Sequence, residues 1–222
     1  MLTANPGERG AGRETLKPLE EANLARARKT LSYYLTVPAV RVLARTPVTP
    51  NAITWSGFVL AVGAAALIAF GHLFAAGWVV LLAGFLDIVD GALARESGRV
   101  TRFGGVLDST LDRLSEAVLL IGILLLYAAD QSLLPVLLVG LCLAGSFLVS
   151  YVRARAEAIG LQCQVGVFTR GERVVALVLG LWLNQVTPYA LLTAMALIMV
   201  FSFITVAQRL LYVWQQTRTK QS

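Results

Sequence analysis

Four aspartates lie within 26 residues of one another, between two long apolar segments. Asp87 and Asp90 are three residues apart, and Asp108 and Asp112 are four apart, so each pair falls on one face of a helix. Carboxylates are costly inside a membrane, and four in such a region indicate a function. The polar, basic segment 96–104 between the pairs contains glycines and is typical of a turn, which would bring the four carboxylates together.

Such a carboxylate cluster suits a hard cation such as Mg²⁺ or Mn²⁺. Four close carboxylates cannot all stay ionised without positive charge between them, which two divalent ions would supply. A two-metal site typically clamps a phosphate or pyrophosphate. Gly91 and Gly104 would let that ligand approach the backbone, and Arg95 and Arg102 could contact its oxygens. The single histidine, His72, excludes a histidine-ligated zinc site.

The composition is that of an integral membrane protein. The chain of 222 residues is 57% hydrophobic and 14% charged, with a mean hydropathy of +0.70, whereas soluble domains are roughly a quarter charged. We expect an all-α protein with six transmembrane helices, and most of the apolar segments approach the ~20 residues that cross a bilayer. The predicted spans are Ala52–Phe70, Trp78–Ala94, Gly104–Ala128, Leu133–Val152, Val174–Leu183 (starting at Val174 or at Arg170) and Tyr189–Val213.

The region before the first span divides into two parts. Residues 1–20 are polar and hold no apolar segment of the kind found in a cleavable signal peptide, so a disordered cytoplasmic tail is expected. Residues 21–46 are basic and amphipathic, which predicts a juxtamembrane helix on the membrane surface. The alternative is a spanning helix interrupted by Pro38. The six-helix domain is placed at 47–215 and a second cytoplasmic tail at 216–222.

The distribution of charge decides between two classes of partner. The net charge of +6 could suit a nucleic-acid ligand, but the 19 basic residues alternate with the apolar segments. Eight precede the first span, three lie in 95–103, four in 153–173 and two at the C-terminus, while the opposite loops hold none. The other two, Arg113 and Arg209, lie within helices toward the ends expected to be inside. The positive-inside rule therefore predicts that both termini are cytoplasmic. We expect a multi-pass protein of the plasma membrane with no nucleic-acid partner.

The aspartate segment also carries a longer pattern, D-x2-D-G-x2-A-R-x8-G-x3-D-x3-D. The chain thereby resembles the CDP-alcohol phosphotransferase family of membrane enzymes. The resemblance implies six transmembrane helices, a polar cavity facing the cytoplasm and a homodimer. It also implies transfer of a phosphatidyl or archaetidyl group from CDP-diacylglycerol or CDP-archaeol to an alcohol, with release of CMP.

The family's residue roles carry over by position. Asp87, Asp90, Asp108 and Asp112 match the ligands of two Mg²⁺ or Mn²⁺ ions, and Asp112 also matches the catalytic base. The positions that match the CDP site are Asp87, Gly91, Arg95, Thr101, Gly104 and Asp108.

The acceptor is indicated by a second segment, SYVRARAEAIGLQCQVGVFTRGERVV. Its arginines are dense for one loop, as an anionic acceptor requires. The segment is similar to the family branch that makes phosphatidylinositol phosphate, and to its archaeal counterpart. In that branch, residues matching Arg153, Arg173 and Arg209 hold the acceptor phosphate, although the first position is often lysine. A phosphorylated polyol, inositol 1-phosphate, is therefore the favoured acceptor.

Several alternatives stay open at this point. Arg153 and Glu157 are four residues apart and could form an ion pair, Arg209 could extend to the inner membrane surface, and Glu116 could pair with an arginine or line the cavity. Glycerol 3-phosphate is also anionic, so a phosphatidylglycerophosphate synthase fits the arginines too. A membrane prenyltransferase or a cation or proton transporter would share the carboxylates but not the glycine and arginine spacing.

Overall fold

The structure, a computed structural model, describes residues 37–38, 40–43, 46–129 and 131–219. Within these ranges the chain forms helices and no strand, which confirms the all-α prediction. The six principal helices are α1 (Pro50–Ala69), α2 (Leu73–Glu96), α3 (Arg102–Ala129), α4 (Leu133–Ala158), α5 (Arg170–Leu183) and α6 (Ala190–Thr219).

Local capping signals set the starts of α1 and α5. The Thr49 side chain accepts a hydrogen bond from the backbone of Ala52, and Pro50 occupies the first helical position of α1. At α5 the backbone N–H of Thr169 donates to Glu172 Oε2 at 2.8 Å, half of a capping box that sets the start at Arg170. Of the two starts considered for the fifth span, Arg170 is the observed one.

Three helices extend at least five residues beyond one end of their predicted spans. α2 begins at Leu73 rather than Trp78, so most of the expected loop 71–77 is helical. α4 continues to Ala158 rather than Val152, and α6 to Thr219 rather than Val213. In α4 the apolar part ends at Arg153, but arginine, alanine and glutamate are good helix formers, so the helix continues beyond it.

The six helices pack as a closed ring. The contacts run from α1 to α2, α2 to α5, α5 to α6, α6 to α4, α4 to α3 and α3 back to α1. Neighbours in the ring are therefore not always neighbours in sequence. This order places the amino-terminal turn of α5 next to the carboxyl-terminal half of α2, which carries Asp87 and Asp90.

The apolar core and the charged residues occupy opposite ends of the helix bundle. The main core cluster includes Val80 of α2, Ile123 of α3 and Leu181 of α5, all almost fully buried. The aspartates precede the core residues of α3, and the arginines precede those of α5, at the opposite ends of the same helices. One end of the bundle is therefore packed with hydrocarbon and the other is free to hold polar cavities.

Four of the six helices are long and apolar enough to cross a membrane: α1, α2, α4 and α6. α5 is not among them because it has only 14 residues. α3 is not among them because its amino-terminal half carries charged side chains. The structure thus supports a membrane-embedded helical protein, while six spans, and the domain limits 47–215 and 216–222, stay predictions. α6 continues through residue 216, where the tail was placed.

The amino-terminal predictions fall largely outside the described residues. The tail 1–20 lies wholly outside them, and of the juxtamembrane helix 21–46 only 37–38, 40–43 and Thr46 are described, the first two ranges as helix. Val40 is buried in a small cluster with Ile53, Val89 and Leu93. This part of the chain therefore packs against α1 and α2 at the end that holds the aspartates.

A glycine sets the close approach of α1 and α3. A Cβ atom at Gly122 would lie 2.5 Å from the backbone oxygen of Ala65 and 2.9 Å from its Cα. We expect Gly122→Ala to lower the free energy of unfolding by about 1–3 kcal/mol, because the backbones of α1 and α3 must move apart. The unfolding temperature in detergent should fall accordingly. Gly63→Ala is the control, since nothing lies within 4 Å of the added carbon. Equal unfolding temperatures for the two variants would contradict the packing.

Candidate active site

Three of the four predicted aspartates meet at one point. Asp87 of α2 and Asp108 and Asp112 of α3 each offer a carboxylate oxygen, and these oxygens all lie within 4.8 Å of one another. The chain reverses between the two helices at 97–101, where Gly98 has a φ of +64°, a conformation that glycine adopts without strain. The reversal brings Asp87 of the first pair to Asp108 and Asp112 of the second.

Asp90 belongs to the same region but not to that group of three. It is 4% exposed, and its Oδ2 has no hydrogen-bond partner among the described residues. An unpartnered carboxylate oxygen at this depth is unfavourable unless a cation or a donor reaches it. It is therefore a further oxygen ligand available to a cation beside the group of three.

An arginine lies among the three carboxylates. Arg170 Nη1 donates to Asp87 Oδ2 at 2.7 Å and also forms an ion pair with Asp112. The sequence placed Arg170 in the arginine-rich loop and gave it no contact with the aspartates. The contact shows that the clustered carboxylates attract a positively charged side chain. An oxygen-only donor set that attracts a cation and leaves Asp90 Oδ2 unpartnered fits a hard divalent ion.

One cavity, the turn cavity, opens beside Asp90 and Asp108. It measures about 310 Å³ and contains five of the six residues expected at a CDP site, Gly91, Arg95, Thr101, Gly104 and Asp108. The sixth, Asp87, lies in the carboxylate group instead. The space is narrow at Gly104, where an added Cβ would lie 2.9 Å from Thr101 Oγ1 and 3.4 Å from Asn51 Oδ1. Only glycine leaves room there for a ligand.

A second cavity, the arginine cavity, lies on the other side of Asp112. It measures about 520 Å³, within the range of small-molecule sites. Its charged and polar lining comes from α3, α4, α5, α6 and the loop before α5, and comprises Asp112, Arg113, Glu116, Ser150, Arg153, Gln164, Thr169, Arg170, Arg173 and Arg209. All three residues predicted for the acceptor phosphate, Arg153, Arg173 and Arg209, are thus brought together.

These three arginines are held in different ways. Arg153 makes the helical pair with Glu157 at 2.8 Å, with both side chains about half exposed. Arg209 is 4% exposed and donates to the backbone oxygen of Val165 at 2.8 Å and to that of Val149. It therefore joins α6 to α4 and to the loop, rather than extending to the membrane surface.

Arg173 forms a two-point ion pair with Glu116. Its Nε lies 2.6 Å from Glu116 Oε1 and its Nη2 lies 2.9 Å from Oε2. This confirms the interpretation of Glu116 as the partner of an arginine. Glu116 also lines the arginine cavity, so the two interpretations weighed for it are both observed.

The arrangement can join two substrates at one point. Asp108 lines the turn cavity, Asp112 lines the arginine cavity, and their carboxylates belong to the same group. A phosphorylated ligand in the first cavity and an anionic ligand in the second would meet at the carboxylates. Such a site suits a displacement at phosphorus assisted by a cation, in which a carboxylate accepts the proton.

Sequence reasoning missed three polar residues of the turn cavity, Asn51, Thr54 and Arg99. It also expected a phosphate contact from Arg102, which does not line this cavity. Asn51 and Thr54 lie on the first turns of α1. Their only signal in the sequence is their place after Pro50, at the basic end of the first apolar segment.

Comparison with known proteins identifies relatives over most of the chain. The family model described as CDP-alcohol phosphatidyltransferase matches residues 47–214. The archaetidylinositol phosphate synthase of Methanothermobacter thermautotrophicus is 40% identical over 167 residues, covering 75% of this chain and 83% of that protein. The phosphatidylinositol phosphate synthase of Mycobacterium tuberculosis is 40% identical over 186 residues, covering 81% and 86%.

Solved structures extend the similarity to the fold. The crystal structure of the Mycobacterium tuberculosis phosphatidylinositol phosphate synthase with CDP-DAG bound has a TM-score of 0.75 and 39% identity, covering 81% of this chain and 93% of that chain. Its complex with manganese and citrate also has a TM-score of 0.75 and 39% identity, covering 81% and 88%. The protein described here therefore belongs to the CDP-alcohol phosphatidyltransferase family.

Proposed function

We propose that this protein transfers the phosphatidyl or archaetidyl group of a CDP-linked lipid to a hydroxyl of inositol 1-phosphate and releases CMP. The observation that carries the proposal is the position of the carboxylate group between the turn cavity and the arginine cavity. The relatives named above are synthases of phosphatidylinositol phosphate and archaetidylinositol phosphate. The donor is CDP-diacylglycerol or CDP-archaeol, and its chains remain in the bilayer.

The turn cavity holds the CDP portion of the donor. Arg95 and Arg99 line it and supply charge to phosphate oxygens. Gly91 and Gly104 leave space for the nucleotide against the backbone, and Thr101 fixes the start of α3 by accepting a hydrogen bond from the Gly104 N–H at 2.9 Å. A rigid wall of this kind favours one orientation of the pyrophosphate relative to the carboxylates.

The carboxylates hold two divalent cations, Mg²⁺ or Mn²⁺. Asp87, Asp108 and Asp112 supply the clustered oxygens, and Asp90 supplies the unpartnered one. When bound, such ions stabilise the negative charge of the pyrophosphate and of the leaving CMP. Arg170, which contacts Asp87 and Asp112, must give up at least part of these contacts for the carboxylates to bind metal.

Asp112 accepts the proton of the acceptor hydroxyl. It belongs to the carboxylate group and faces the arginine cavity, so it lies between donor and acceptor. The hydroxyl oxygen attacks the β-phosphorus of the donor, and the bond from that phosphorus to the bridging oxygen breaks. CMP leaves with the bridging oxygen, the proton moves to Asp112, and a phosphodiester forms.

The arginine cavity holds the phosphate of the acceptor. We assign this role to Arg153, Arg173 and Arg209, which converge from α4, α5 and α6. Ser150, Gln164 and Thr169 line the same cavity and are neutral hydrogen-bonding groups suited to the hydroxyls of a polyol. An uncharged acceptor such as inositol would bring no phosphate oxygens to these arginines.

Substituting the acceptor arginines should weaken binding of the acceptor more than binding of the donor. We expect Arg153→Ala and Arg173→Ala to raise the KM for inositol 1-phosphate about tenfold or more, since a hydrogen bond to a charged group contributes roughly 1.5–3 kcal/mol. The KM for the CDP-lipid should change little. Arg155→Ala is the control, because Arg155 is exposed on the same helix and does not line the cavity. An equal rise in both KM values would indicate a structural role instead.

The membrane arrangement completes the proposal. The protein lies in the plasma membrane with both termini in the cytoplasm, where CDP-lipids, divalent ions and a soluble acceptor are accessible from one side. It acts as a homodimer, with 1–20 as a tail, 21–46 as a juxtamembrane helix and 47–215 as the catalytic domain. The distribution of basic residues supports this orientation.

A comparison of acceptors tests the function. Purified protein is given CDP-diacylglycerol with Mg²⁺ or Mn²⁺, and CMP release is compared for inositol 1-phosphate, glycerol 3-phosphate, inositol and serine. We expect inositol 1-phosphate to give the fastest release and the two neutral alcohols almost none. Faster release with glycerol 3-phosphate would assign the protein to phosphatidylglycerophosphate synthesis.

A further inference from the structure

Among the described residues, Glu116 and Asp112 are the two acidic ones that line the arginine cavity. Glu116 lies one helical turn beyond Asp112 on α3, and both of its carboxylate oxygens contact Arg173, at 2.6 and 2.9 Å. The Arg173 side chain is 4% exposed. Two-point contacts of this kind fix the plane of the guanidinium as well as its position.

The pairing uses one edge of the Arg173 guanidinium and leaves Nη1 unpartnered within the described part of the chain. Nε and Nη2 face Glu116, whereas Nη1 is buried without a hydrogen-bond partner among the described residues. Arg173 also lines the arginine cavity. A buried guanidinium donor without a partner is unfavourable, so this edge is suited to an anionic ligand that supplies acceptor oxygens.

The other two arginines of the cavity are fixed differently. Arg209 is held by two backbone oxygens, whereas the contact of Arg153 with Glu157 is exposed and holds that arginine only weakly. Of the three, only Arg173 has its charge matched by a largely buried carboxylate. That match lets a cation stay inside the bundle before the acceptor arrives.

We propose that Glu116 is a positioning residue for the acceptor: it orients Arg173 so that Nη1 meets the acceptor phosphate. Glu116 itself does not contact either substrate. The proposal rests on the proposed function, since it concerns binding of a phosphorylated acceptor. Without Glu116, the flexible arginine side chain would sample many rotamers, and fewer of them would present Nη1 to the phosphate.

The test separates acceptor binding from donor binding and from turnover. We expect Glu116→Gln to raise the KM for inositol 1-phosphate about tenfold, with the KM for CDP-diacylglycerol and kcat each within about twofold of wild type. Glu116→Asp, which keeps the charge, should recover part of the loss. Glu157→Gln is the matched control, because it removes an exposed ion pair to a neighbouring arginine, and such pairs contribute little.

A paired substitution covers the case in which Glu116→Gln does not fold because Arg173 is left as an unpaired buried charge. Glu116→Gln combined with Arg173→Gln removes both charges. We expect this double variant to have the same KM for inositol 1-phosphate as Arg173→Gln alone, since Glu116 acts only through Arg173. A further rise of threefold or more in the double variant would overturn the proposal, because it would give Glu116 a separate role.

The remaining outcomes are also decisive. Glu116→Gln that raises both KM values equally, or lowers kcat alone, would overturn the positioning role while leaving the proposed function intact. Wild-type protein that releases no CMP with inositol 1-phosphate would instead overturn the acceptor assignment, and the role of Glu116 with it.

Discussion

Replacing Asp112 by asparagine should abolish CMP release, with a loss of about 10²–10⁴-fold, while binding of the CDP-lipid persists. The substitution keeps the size of the side chain but removes the group that accepts the proton of the acceptor hydroxyl. Asp87, Asp90 and Asp108 remain available for metal. The measurements are CMP release and equilibrium binding of CDP-diacylglycerol to the same purified variant.

The control for Asp112→Asn lies on the same helix. Thr110 is exposed, and its hydroxyl donates to the backbone oxygen of Val106 in its own helix at 2.8 Å. We expect Thr110→Ala to retain near wild-type CMP release and stability. Full activity of Asp112→Asn would remove Asp112 as the base, whereas loss of donor binding in that variant would show that Asp112 acts mainly through the metal.

Removing divalent cations should stop turnover completely, and Mg²⁺ or Mn²⁺ should restore it. The carboxylate group concentrates negative charge where the pyrophosphate of the donor must bind, and Arg170 alone offsets only part of it. We also expect Asp87→Asn and Asp108→Asn to weaken Mn²⁺ binding, because each removes an oxygen from the group of three. Mn²⁺ binding can be followed by electron paramagnetic resonance, independently of activity.

A carboxylate outside the group provides the control for the metal measurements. Glu157 contacts Arg153 on the exposed face of α4, and Glu157→Gln should bind Mn²⁺ like the wild type. Transfer that proceeds at the normal rate after exhaustive chelation would contradict the metal site. So would Mn²⁺ binding that is unchanged in Asp87→Asn and Asp108→Asn.

The centre of the site could be predicted from the sequence because its geometry is local. Spacings of three and four residues place carboxylates on one helix face, and the turn at 97–101 needs only a glycine with positive φ. The group formed by Asp87, Asp108 and Asp112 follows from these two features. The predicted residues of the turn cavity, Gly91, Arg95, Thr101 and Gly104, were expected instead from the family pattern. The all-helical architecture could also be predicted, from the apolar composition and from the length of the apolar segments.

The contacts between distant segments could not be predicted in this way. Glu116 and Arg173 are 57 residues apart, and Arg170 and Asp87 are 83 apart. Which arginine meets which acid depends on the ring order that places α5 beside α2, and no single-sequence pattern records that order. Asn51 and Thr54 were missed for the same reason. In contrast, Thr169 and Glu172 form a local capping pattern, a signal in the sequence that was not used to choose the start of α5.

The most direct test of the central claim follows the phosphorus atom that is transferred. CDP-diacylglycerol labelled at the β-phosphorus is incubated with the protein, Mg²⁺ and inositol 1-phosphate, and the products are separated. We expect all transferred label in a lipid that carries both the labelled phosphate and the acceptor's own phosphate, with an equal amount of unlabelled CMP. Label released with the nucleotide, or a labelled lipid that lacks the inositol phosphate group, would contradict the account.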